Sequence, residues 1–122
     1  MRDPRERLRD ILEAIVRIER HTAEGREAFE ADELVQGWCV RHIQIIGEAA
    51  RAIPDTVRVR SPEVPWNQIV GMCHILVHDY FDIDTSIVWA VVERDLPVLK
   101  PQVQALLNTL ENEAAGDGDR KS

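Results

Sequence analysis

The segment from about residue 32 to 53, closed by Pro54, constrains this chain more than any other. Wound at helical pitch, Leu34, Val35, Trp38, Cys39, Val40, Ile43, Ile45, Ile46, Ala49, Ala50 and Ile53 cover much more than one stripe. A helix that is apolar most of the way round must be covered on two sides. A chain of 122 residues builds one domain around one core. Neighbouring helices can therefore cover one side, and a second copy of the chain is the natural cover for the other. Gly37 and Gly47 offer points of close approach on the same segment. The expectation is an all-α, up-down helical bundle that dimerises through its helices.

The remaining pattern agrees. Leu8, Ile11, Leu12, Ile15 and Ile18 recur at helical spacing and predict an amphipathic helix over about residues 4 to 23. Asp3 and Pro4 supply its cap and first residue, and Gly25 a stop. After a proline-containing connector from Asp55 to Pro65, with a short turn at 56 to 60, a third helix is expected from Trp66 to about Val77. Asp82 and Asp84 offer caps for a fourth helix opening at Thr85, which Pro97 and Pro101 should kink or interrupt. Trp66 and Trp89 read as core. Residues 1–110 form the expected domain, and residues 111–122 a polar, disordered tail.

Composition excludes several classes. With 44% hydrophobic and 30% charged residues the chain is globular rather than disordered. No apolar run approaches the roughly 18 residues of a membrane span, and the N-terminus lacks the apolar region of a signal peptide. A cytoplasmic protein without membrane contact is expected. Cys39 and Cys73 show no CxxC spacing and are expected to be free and reduced. A net charge of −7 argues against coating a nucleic acid, because non-specific affinity comes from cations neutralising phosphates. Arginines 2, 5, 7 and 9, and again 51, 58 and 60, still leave room for a local RNA contact.

The chemistry concentrates in GMCHILVHDYFDID, from Gly71 to Asp84. His74 and His78 are four apart and share a helical face. That spacing suits a metal, but Cys73 points about 100° away from His74, and only a residue from elsewhere, such as His42, could complete a set. No metal or cofactor is expected. Read as structure alone, the two histidines are partly buried, hydrogen-bonded helix residues. Read as chemistry, His78 lies near a helix end whose dipole favours imidazolium, suiting it to acid/base work. Glu48, in the most apolar part of the second helix, reads as a solvated or salt-bridged glutamate; buried, it would need a partner such as Arg51 three residues on.

Five segments together carry a resemblance: RDPRERLRDILEAI, QIIGEAARAIP, PEVPWNQIVGM, LVHDYFDID and WAVVERDLPVLK, spread over about residues 2 to 107. In their order the chain resembles the HepT-like toxins of the HEPN superfamily. These are small all-α ribonucleases encoded beside a minimal nucleotidyltransferase antitoxin. The resemblance implies a metal-independent endoribonuclease site built across a homodimer. His78 is then the catalytic histidine and His74 the polar residue of the signature. Tyr80 is the tyrosine that the antitoxin modifies with AMP. Glu48 and Arg51 are secondary candidates. At the position of the family's arginine stands Cys73. A neutral thiol cannot make the forked phosphate contact of a guanidinium. Such donors contribute about 2.7–4 kcal/mol at the transition state, so a loss of roughly a hundredfold or more is expected without compensation. His74, Arg41 or Arg51 could compensate. The alternative is a catalytically impaired dimer that serves as a binding module for its nucleotidyltransferase.

Overall fold

The computed structural model describes residues 3–71 and 84–120, with side chains as far as Gly116. Those residues are helical and contain no strand. Helix α1 spans Pro4–Thr22, α2 Arg26–Glu30, α3 Glu33–Ala52 and α4 Asp55–Arg58; α5 is described over 66–71. After the segment outside the described residues come α6, Thr85–Ala90, a π-helical turn, Val91–Asp95, and α7, Leu96–Arg120.

Local chemistry sets the starts of these helices. The Asp3 carboxylate accepts from Arg5 N, with Pro4 in the first turn; Asp32 accepts from Leu34 N and Val35 N; Asp84 accepts from Ser86 N and Ile87 N. Each satisfies amide groups that have no partner inside the helix. Gly25 sits between α1 and α2 with φ 98°, a left-handed value that a side chain would strain. It lets the chain turn at once into α2, a five-residue helix that the sequence pattern did not predict.

Packing centres on α1 against α3, and α7 covers α1 from another side. Leu8, Ile11, Ala14, Ile15 and Ile18 face the core from α1; Cys39, Ile43, Ile46, Ala49 and Ala50 meet it from α3. The short α2 contributes Phe29, 1% exposed, with its ring 5.3 Å from that of Trp89. Gln36 Nε2 donates to the carbonyls of Phe29 and Glu30, which satisfies the end of α2. Trp66 and Trp89 are core residues, as expected.

Three readings are corrected. Gly37 is exposed and has nothing near the position of an added side chain, so it is no packing point, whereas Gly47 is buried. Of the two prolines expected to kink or interrupt the fourth helix, Pro97 follows an interruption of the α-helical winding and Pro101 does not break it. Leu96 N donates to Val91 O, five residues back, and this widened turn precedes Pro97. The widening relieves the clash a proline ring makes with the carbonyl four residues before it. Pro101 lies inside α7. Finally, the tail expected from residue 111 is helical as far as Arg120. Glu111 pairs with Arg9 at 3.3 Å, and Glu113 takes both guanidinium nitrogens of Arg60. Among the described residues no helix is long and apolar enough to cross a membrane.

Candidate functional site

Cys73, His74, His78 and Tyr80 lie outside the described residues, as does Asp82. The chain leading into and out of their segment is described, and both ends are held. On the entry side, Trp66 is 7% exposed and donates from Nε1 to Ser61 O at 3.2 Å. The Arg58 guanidinium lies over its ring, 5.9 Å from the centroid. Ile69 is buried and Val70 packs beside it. On the exit side, the Asp84 carboxylate caps α6 at 3.0 and 3.3 Å.

The candidates on α3, Glu48 and Arg51, are both exposed, and neither pairs with the other or with another described residue. Glu48 therefore needs no buried partner: its position in the helix turns it outward, away from the apolar residues flanking it in sequence. Arg41 is exposed as well. Of the central arginines, Arg58 is structural. Its Nη2 donates to Ala50 O at 2.7 Å and its Nε to Ile53 O at 3.0 Å, closing the end of α3. Arg60 is engaged by Glu113, and Arg5 by Asp3.

His42 is 4% exposed, with Nδ1 2.8 Å from Trp38 O and its ring centroid 4.2 Å from that of Trp38. A carbonyl only accepts, so Nδ1 carries the proton and Nε2 is the nitrogen left for other work. Among the described residues no group of three or more histidine, cysteine or acidic side chains is placed to hold a metal ion. Cys39 is fully buried, and burial pushes its thiol up to about 11.

Cavities open on the described surface beside α3 and beside α7. One of about 170 Å³ lies between α1 and α3, over His42 and the Glu13–Arg17 ion pair. A larger one, about 290 Å³, lies between α5 and the start of α7, with Arg94, Asp95 and Gln102 beside Ile69 and Leu99. Reasoning from sequence did not single out Arg94 or Gln102. The available signal was the RDLP run, where a proline follows a charged pair and forces the helix to widen.

The described fold defines a class, a small all-α bundle. The comparisons narrow it. The family model described as Ribonuclease HepT-like matches residues 11–106, which include Cys73, His74, His78 and Tyr80. A protein of Thermococcus cleftensis named as a probable ribonuclease HepT is 38% identical over 106 residues, covering 86% of this chain and 96% of the relative. A Methanocaldococcus jannaschii protein named as a candidate RNase is 36% identical, over 84% of this chain and 95% of its own. Another, from Caldanaerobacter subterraneus, is also 36% identical, over 88% and 96%. No solved structure matches the chain. The chain belongs to the HepT-like ribonuclease family, in agreement with the resemblance carried by its sequence segments.

Proposed function

We propose that the chain is the toxin of a toxin–antitoxin pair, an endoribonuclease that needs no metal and works as a homodimer. The observation that carries this reading is the family match running through His78 and Tyr80. His78 acts as general acid/base on the ribose 2′-hydroxyl, and His74 assists on the phosphate side. Tyr80 is the residue that a nucleotidyltransferase antitoxin modifies with AMP. The added phosphate charge repels an RNA backbone and fills the cleft. Leu34, 86% exposed in the first turn of α3, is the apolar side chain of that helix left for a second copy to cover, most of the others being buried or packed against the core. RNA cleavage in EDTA tests the reading: the chain should cleave, and His78→Ala should cost at least a hundredfold, the scale of general acid/base catalysis.

A second reading rests on one residue. Cys73 offers no charge to a phosphate where the family carries arginine. On that reading the chain dimerises and binds its nucleotidyltransferase without cutting RNA. Exposed Arg41 and Arg51, which pair with no described residue, are the cations available to favour the first reading.

A further inference from the structure

The cavity between α5 and α7 has walls of one kind and a rim of another. Ile69, Leu96 and Leu99, all buried, form its apolar floor, and Val98, 58% exposed, its lip. Arg94 and Asp95 stand at the mouth, both exposed, and Arg94 forms no ion pair with a described residue. Gln102 closes the far end. Its Oε1 is, among the described residues, the one buried side-chain nitrogen or oxygen without a hydrogen-bond partner.

An unsatisfied buried acceptor costs stability and asks for an explanation. Gln102 is half-buried and lines the cavity, and a rotation about its broad terminal torsion would bring the oxygen to face it. The space, about 290 Å³, is at the small end of ligand pockets and suits a flat ring rather than an elongated molecule. An apolar floor accepts a ring face. Two acceptors, Gln102 Oε1 and the Asp95 carboxylate, call for N–H donors on the ring edge, and Arg94 calls for an anion beside it. A nucleotide satisfies all three.

We propose that this cavity is a base subsite for RNA, selecting nucleobases that carry an exocyclic amine over uracil, with Arg94 on the adjacent phosphate. The choice of RNA as the source of the base rests on the ribonuclease reading. The acidic net charge fits: one pocket and one arginine hold a strand locally where no basic track could.

The test is binding of CMP, UMP and a short oligocytidylate to the full chain, followed by calorimetry and by the Gln102 side-chain amide signal in NMR. CMP should bind about tenfold more tightly than UMP, the equivalent of one net hydrogen bond, and the oligocytidylate more tightly still. Gln102→Leu should bring CMP and UMP within about threefold while leaving the fold at least as stable, because the orphaned acceptor is gone. Arg94→Ala should weaken CMP and leave cytidine unchanged. Equal binding of CMP and UMP, or discrimination that survives Gln102→Leu, overturns the subsite. An oligocytidylate no tighter than CMP overturns RNA as the occupant in favour of a free nucleotide. No binding of any probe overturns the proposal. Cleavage is scored separately: a chain that discriminates CMP from UMP but never cuts RNA loses the ribonuclease reading and keeps the pocket.

Discussion

Arg58 closes α3 by donating to Ala50 O and Ile53 O while lying over Trp66, the residue that anchors the entrance to the candidate site segment. Arg58→Ala removes two charge-assisted hydrogen bonds at a half-buried position, and a loss of about 1–2 kcal/mol is expected in urea unfolding. Arg58→Lys should recover only part of it, because an ammonium lacks the fork that reaches both carbonyls. Cys39 makes a pH prediction. Its thiol keeps the proton in the folded state up to about 11, whereas the unfolded thiol ionises near 9.0. The unfolded state therefore binds fewer protons in that window, and stability falls as pH rises through it. The contribution is intact below the lower value and lost beyond the upper one. Unfolding midpoints on either side of the window should show the slope in the chain and not in Cys39→Val. In a Cys73→Ser background the native protein should also resist alkylation until it unfolds.

At the scale of elements, α7 carries a proline in its interior, exposed and without the amide its turn needs. Pro101→Ala restores a backbone hydrogen bond and should stabilise the fold by about 1–3 kcal/mol. A lower urea midpoint would instead mean that the proline fixes the helix in a direction the core requires. The elements also show what could be read in advance. α1 and α3 followed from their apolar periodicity, and Asp3 and Asp84 from the ability of a short carboxylate to cap. The five-residue α2 is too short to show a period, and what fixes it is a tertiary contact, Phe29 against Trp89. Pro97 announced an irregularity, but whether a helix answers with a break or a wider turn depends on packing on both sides. Glu48 is solvated, the plainer of its two readings, because composition around a residue says little about which way it points. α7 runs past the expected boundary, where Glu111 and Glu113 pair with arginines 102 and 53 positions away in the sequence. The candidate site was named from residue types, spacing and resemblance, in a segment that lies outside the described residues.

For the molecule as a whole, the apolar excess of α3 leads to the proposed dimer. Light scattering should give twice the chain mass, and Leu34→Glu, which places a charge on that exposed face, should halve it without unfolding the bundle. A chain that is monomeric at every concentration would remove the shared site. The central claim, that this is a HepT-like ribonuclease weakened at one position, is tested most directly by comparing RNA cleavage by the chain and by Cys73→Arg, both in EDTA. The account predicts His78-dependent cleavage that rises roughly a hundredfold when arginine restores the phosphate contact. Two folded proteins that both leave RNA intact would contradict it.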